Sequence, residues 1–189
     1  MKIGYSVQGS TDRALLHGLR DRWCPQATLE PGAFRGTVGP SLRREFGKIC
    51  EALLLKGVQA VVILTDADEA DWRDVKRNEY PKLPAEVLHC AILGVTDRNV
   101  ECWLCADPEW LGRKLGVSPD LFRCDDPKEP FKRAMGITRD EKKEGKIAAL
   151  VAEAPLARWL ASPSFEDFYE QVRDVSQQRG CSIENLREQ

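Results

Sequence analysis

The sequence predicts an α/β protein with a mainly parallel sheet flanked by helices. One observation is the segment 58–65, whose centre, Ala60 to Leu64, is an unbroken apolar run. Strands that are apolar without interruption are buried on both faces, which is typical of parallel sheets covered by helices. A second observation is that such segments alternate with stretches of helical periodicity, and this alternation indicates strand–helix–strand units.

The elements follow in order along the first half of the chain. Thr11 or Asp12 can cap the first helix. Residues 24–40 hold three prolines and three glycines and predict a loop. The predicted strands are 2–7, 58–65 and 86–93, and the predicted helices are 12–23, 41–56 and 71–80.

The second half of the chain is predicted to be helical. The expected helices are 100–106, 108–115, 139–153 and 164–178. We therefore predict that residues 1–107 form an α/β core and that residues 108–189 form a helical extension packed on it.

The chain has no net positive charge that would attract nucleic acid to the protein as a whole. The 189 residues include 28 Lys and Arg against 30 Asp and Glu. Any nucleic-acid binding must therefore come from a local patch. The apolar runs are too short to span a bilayer, so we expect no membrane association.

The seven cysteines are irregularly spaced, and several lie in apolar segments. This pattern predicts reduced, buried thiols. Together with a start that lacks a signal-peptide hydrophobic region, it predicts a cytoplasmic location. Cys102 and Cys105 form a C-x-x-C pair, but without a second pair they are a weak zinc signal.

Asp66 and Asp68 follow the strongest strand and are the main candidates for chemistry. Residues i and i+2 of an extended backbone project to the same side, so both carboxylates can converge on one point. Two close carboxylates repel each other, and a divalent cation such as Mg²⁺ or Mn²⁺ relieves the repulsion. The alternative interpretation is that Asp66 caps the next helix and Asp68 is simply solvated.

Polar clusters also follow the other two predicted strands. In chain order the motifs are Gln8-Gly9-Ser10-Thr11-Asp12, Asp66-Ala67-Asp68, Asp97-Arg98-Asn99-Val100-Glu101-Cys102-Trp103-Leu104 and Ser162-Pro163-Ser164-Phe165. This series resembles the TOPRIM (topoisomerase–primase) domain. More narrowly, it is similar to a group of small bacterial TOPRIM-like proteins of uncharacterised function that are associated with phage defence.

The resemblance implies a TOPRIM-like sheet and a metal-dependent site. Its glutamate position, which serves as metal ligand or general acid/base, is Gln8 here. Asp66 and Asp68 would be the metal ligands. Glu101, on a predicted helix beside Asp97, is a further catalytic candidate that could replace the missing charge, or it lies on a solvated helix face. The resemblance also implies an ATPase partner of the ABC/SMC kind and a role as toxin effector in anti-phage defence.

Gln8 departs from the pattern in a way that bears on activity. Glutamine has the shape of glutamate but cannot be deprotonated. It is equally consistent with a natural variant of altered activity and with a deliberate isosteric substitution that disables the site.

Basic residues provide candidates for contacts with nucleic acid. Arg98 can bind a phosphate through its guanidinium or pair with Asp97. The other candidates form a basic stretch that can bind a nucleic-acid backbone or be a solvated helix face: Arg35, Arg43, Arg44 and Lys48.

The sequence is consistent with three functions. The first is a Mg²⁺-dependent nuclease that acts on DNA or RNA. The second is a non-catalytic TOPRIM-scaffold subunit that binds within a larger ATPase complex, which Gln8 favours. The third is a phosphatase or nucleotidyl-transferase that uses the same carboxylates, because a fold does not fix a function.

Overall fold

The computed structural model describes residues 1–32, 39–136 and 141–189, without the side chains at 39–43 and 141–142. It contains a four-stranded sheet in which every pairing is parallel. The strands are β1 (Lys2–Val7), β2 (Thr28–Pro31), β3 (Ala60–Asp66) and β4 (Ala91–Thr96), in the order β2-β1-β3-β4. The predicted α/β class with a parallel sheet and flanking helices is confirmed.

Helices connect the strands and make up most of the chain after β4. They are α1 (Ser10–Trp23), α2 (Gly39–Leu55), α3 (Trp72–Glu79), α4 (Val100–Leu104), α5 (Pro108–Leu115), α6 (Lys128–Ala134), α7 (Glu141–Glu153), α8 (Leu156–Trp159) and α9 (Pro163–Gln178). No described helix combines the length and the apolar character needed to cross a membrane.

Alternate residues of β3 enter two separate cores, because successive side chains of a strand point to opposite faces. Val61 and Ile63 belong to the core beneath α2 and α3. Val62 and Leu64 belong to a larger core with α1 and the helices that follow residue 107. This explains the uninterrupted apolar run that predicted the strand.

The helices of the second half pack directly on the sheet and on α1. At Gly18 of α1 an added Cβ would lie 2.6 Å from the carbonyl oxygen of Ala148, so glycine permits the close approach of α7. At Gly94 of β4 a Cβ would lie 2.8 Å from Phe168 of α9. The described helices after residue 107 thus share one core with the sheet.

The free edge of β4 is covered by a side chain of α9. The amide of Gln171 accepts a hydrogen bond from the backbone N–H of Leu93 at 3.0 Å and donates one to its carbonyl oxygen at 3.1 Å. The side chain thereby supplies the pairing that a fifth strand would offer. An exposed strand edge can template pairing with other chains, and this contact removes that opportunity here.

Two predicted elements require correction. Residues 86–93 are not one strand: Ala85–Val87 is a 3₁₀ helix, and the strand is Ala91–Thr96. Residues 24–40 are not only loop, because Thr28–Pro31 pairs with β1 as an edge strand. Proline is tolerated there because an edge strand need not donate from every N–H.

The thiols also differ from expectation. Cys24 and Cys181 form a disulfide that links the end of α1 to the segment after α9. Cys50, Cys90 and Cys105 are buried free thiols, as predicted. Because a disulfide is uncommon in a reducing compartment, the cysteines give no support to a cytoplasmic location.

Candidate active site

The candidate site lies at the carboxyl ends of β1 and β3. The chain leaves β1 towards β2 on one side and returns through α2 to β3 on the other, so the connections diverge between these strands. Open parallel sheets bind ligands at such a point. A cleft of about 360 Å³ opens there, lined by Gln8, Gly9, Ser10, Thr11, Asp12, Asp66, Asp68, Val100, Glu101, Lys128, Lys132 and Lys143.

Gln8 is the first residue after β1 and faces this cleft. Its side-chain N–H donates a hydrogen bond to the hydroxyl oxygen of Thr65 on the neighbouring strand at 2.8 Å. The position predicted for the family glutamate therefore lies in the same cleft as Asp66 and Asp68.

Asp66 is the last residue of β3, and one of its carboxylate oxygens accepts a hydrogen bond from the hydroxyl of Thr96 at 3.0 Å. Asp68 lies beyond the strand with a φ of 57°, and its backbone N–H donates to the carbonyl oxygen of Arg98 at 3.0 Å. Both carboxylates line the cleft. Asp68 does so through its own left-handed backbone conformation, and not through the alternation of an extended strand that predicted the pair.

Two further carboxylates are almost completely buried at the wall of the cleft. Asp12 is 4% exposed and Glu101 is 3% exposed. Asp12 does not cap α1, because the N-cap position is Gly9. A Cβ at Gly9 would lie 3.1 Å from a carboxylate oxygen of Asp12, so the glycine of the Gln8-Gly9 pair leaves room for this carboxylate.

The carboxylates disfavour one another's charge. Burial, followed by repulsion from Asp66 and Glu101, holds the pKa of Asp12 well above its usual range. Burial raises the pKa of Asp66 to about 6, against the hydrogen bond from Thr96 that lowers it. Burial also raises the pKa of Glu101. A cluster of this kind gains stability from a cation, because the charge of the cation offsets both the repulsion and the lost hydration.

Asp12 and three lysines also line the cleft, although the sequence motifs did not predict them as site residues. Lys128 and Lys132 are four residues apart on α6, so both can face the cleft from one side of that helix, and Lys143 reaches it from α7. The four-residue spacing was the available signal. This spacing did not indicate which face of the core the two helices cover.

Of the residues predicted to bind nucleic acid, those whose side chains the structure describes do not line this cleft. Arg35 lies outside the described residues, as does the side chain of Arg43. Arg44 and Lys48 are exposed on α2, and Lys48 forms an ion pair with Glu45 at 3.2 Å. Arg98 is partly exposed and does not line the cleft.

The last two sequence motifs contact each other beside the cleft. The carboxylate of Asp97 accepts hydrogen bonds from the hydroxyls of Ser162 and Ser164, each at 2.9 Å. Ser164 also accepts a hydrogen bond from the indole N–H of Trp103 at 2.7 Å. Asp97 therefore has a structural role, and it pairs with serine hydroxyls rather than with the neighbouring arginine. These bonds fix α4 and, with it, Glu101.

The side chains of the cleft fit a hydrated divalent cation better than a closed metal cage. Among the residues that the structure describes, no group of three or more His, Cys, Asp or Glu side chains is arranged to hold a metal ion. Mg²⁺ is commonly held by one or two carboxylates, with water and substrate phosphate completing its shell. Asp66 and Asp68 suit this mode, because both line the cleft and Asp68 is exposed.

The fold and the cleft together define an α/β protein with a carboxylate cluster at the point where the strand order of a parallel sheet reverses. Comparison of the chain with protein-family models, with curated proteins and with solved structures finds no match in any of the three. The resemblance to TOPRIM-like proteins therefore stays a prediction that depends on the four sequence motifs.

Proposed function

We propose that this chain is a metal-dependent phosphodiesterase that acts on DNA or RNA. The observation that carries the proposal is the composition of the cleft, in which Asp12, Asp66, Asp68 and Glu101 lie with three lysines at the carboxyl edge of the sheet. Carboxylates suit a divalent cation, and ammonium groups suit the anionic oxygens of a phosphodiester.

In this proposal Asp66 and Asp68 would hold Mg²⁺ or Mn²⁺, and the hydrogen bond from Thr96 orients Asp66 for that purpose. When bound, the cation would clamp the scissile phosphate and stabilise charge on the attacking and leaving oxygens. Glu101 and Asp12 line the same cleft, and a bound cation would favour their ionised forms, which in turn would strengthen the attraction for the cation.

Gln8 is the position that most directly tests the proposal. Glutamate at this position can accept a hydrogen bond from the Thr65 hydroxyl, which is able to donate as well as accept, so Gln8→Glu should fold. It would add a charged, proton-carrying group to the cleft. We expect it to raise cleavage on the order of 10²–10⁴-fold, which is the usual contribution of a general acid or base.

The experiment compares three proteins on labelled DNA and RNA with Mg²⁺, Mn²⁺ or a chelator: the chain as it stands, Gln8→Glu, and Gln8→Glu combined with Asp66→Asn. Cleavage should appear or increase with Gln8→Glu, should require the metal and should be lost again with Asp66→Asn. Equal cleavage by the first two proteins would show that position 8 is not catalytic.

A non-catalytic binding subunit is the second candidate. It is favoured by the neutral side chain of Gln8 and by the lack of a three-residue metal cluster among the described residues. Absence of cleavage by Gln8→Glu with every metal, even with a candidate ATPase present, would favour this function. The ABC/SMC-type ATPase partner and the role in phage defence are part of the proposal through the resemblance alone, and the cytoplasmic location through the sequence pattern alone.

A further inference from the structure

The cleft has a basic wall as well as an acidic one. The carboxylates come from the end of β3 and the residues just after it, and from α1 and α4. The lysines come from α6 and α7, in the part of the chain beyond the predicted TOPRIM core. The basic wall consists of Lys128, Lys132 and Lys143, and each of these side chains is partly exposed.

The lysines and the carboxylates line the same cleft, whose volume of about 360 Å³ lies in the range that holds small ligand groups. The lysines belong to helices that are separate from the strand end that carries Asp66. A phosphate in the cleft can therefore contact ammonium groups while carboxylates hold a cation.

The basic wall is also available to an incoming anion. Lys132 pairs with Glu129 at 2.8 Å, but the glutamate is largely exposed. Ion pairs of this kind are worth little in water, so a phosphate can replace the glutamate at small cost. Lysine binds phosphate as a mobile point charge on a flexible stem, which suits a chain of successive phosphates.

We propose that Lys128, Lys132 and Lys143 bind phosphates of the nucleic-acid backbone and hold the strand across the acidic wall of the cleft. The inference rests on the proposed function for its substrate class, and it moves the phosphate-binding surface from α2 to α6 and α7. The helices after residue 107 then complete the site, because without them the carboxylates would repel the substrate.

The chain offers a matched pair of variants on the same two helices. Lys132→Ala with Lys143→Ala removes two positive charges from the cleft. Arg133→Ala with Lys146→Ala removes two positive charges from exposed neighbours that do not line it. Both double variants therefore have the same net charge, and a long-range electrostatic effect would act on them almost equally.

Binding is measured by fluorescence anisotropy on the full chain carrying Asp66→Asn, with a chelator, using a labelled single-stranded DNA and an RNA of the same sequence over a series of salt concentrations. Each phosphate contact with a single strand contributes about 0.7 to the slope of log affinity against log salt. The cleft variant should lose about 1.4 from the slope and about 25-fold in affinity at about 0.1 M salt. Lys132→Arg with Lys143→Arg should retain binding.

Equal losses in the two double variants, or no binding by the starting protein at low salt, would overturn the inference. The binding assay needs neither metal nor cleavage, so it separates the inference from the proposed function. If Gln8→Glu cleaves while the two double variants bind alike, only the basic wall is refuted. If the cleft variant alone loses binding and no protein cleaves, the basic wall stands and catalysis is refuted.

Discussion

Replacing Asp66 by asparagine should stabilise the metal-free protein at neutral and alkaline pH. Burial raises the pKa of the Asp66 carboxyl from 3.8 to about 6. The folded state therefore holds the proton more tightly than the unfolded chain, and stability is lost as the pH rises from about 4 to about 6. At about 1.4 kcal/mol for each pKa unit, the ionised carboxylate costs about 3 kcal/mol. Because Asp66 is partly exposed, we expect asparagine to recover about 1–3 kcal/mol.

Urea unfolding in the presence of a chelator, at about pH 4 and about pH 8, measures this effect. Asparagine can still accept the hydrogen bond from Thr96, so the substitution removes the charge and keeps this bond. The gain should appear at about pH 8 and fall below about 1 kcal/mol at about pH 4. Added Mg²⁺ should stabilise the original protein more than the variant.

The exposed carboxylate of Asp68 provides the control. Asp68→Asn should change the free energy of unfolding by less than about 0.5 kcal/mol at either pH, because the side chain remains hydrated. An Asp66→Asn protein that is destabilised at about pH 8 would refute a charge penalty at position 66. A gain in stability that is the same at both pH values would also refute it, since a charge penalty must vanish when the carboxyl is protonated.

Two further predictions concern the contacts that position the site. Gln171→Ala should lower the free energy of unfolding by about 1–3 kcal/mol and promote self-association, because it leaves the backbone N–H and C=O of Leu93 unpaired at a sheet edge. Urea unfolding and light scattering measure both effects, and an unchanged monomer would contradict the edge argument. Ser164→Ala should cost about 1–3 kcal/mol, because the buried indole N–H of Trp103 loses its acceptor. Wild-type stability in urea would show that the contact with Asp97 and Trp103 is dispensable.

The fold could be predicted where burial follows a regular period. The run from Ala60 to Leu64 predicted β3, because both of its faces are covered by helices. The start of β4 was placed too early, since Val87 is fully buried in a 3₁₀ turn. A buried apolar residue looks the same in the sequence whether a turn or a strand holds it.

The acidic side of the candidate site was more accessible to prediction than the basic side. Gln8 and Asp66 lie together because parallel strands place their carboxyl ends at one sheet edge, which the order of strands and helices already implies. Asp12 was interpreted as a helix cap, because its burial depends on tertiary contacts. Lys132 and Lys143 depend on how α6 and α7 fold back over the sheet, and no local pattern encodes that packing.

The hydrogen bond between Trp103 and Ser164, the second serine of the Ser-Pro-Ser-Phe motif, bears on when the cleft can form during synthesis. The indole of Trp103 and the hydroxyl of Ser164 are 61 residues apart in the chain, and Trp103 also packs against Phe165 and Phe168. All four strands are synthesised before these partners exist. Because the parts of one core fold as a unit, a nascent chain that ends before α9 carries every acidic motif without the helix packing that fixes Glu101. We therefore expect the cleft to reach its final geometry only after α9 has emerged from the ribosome.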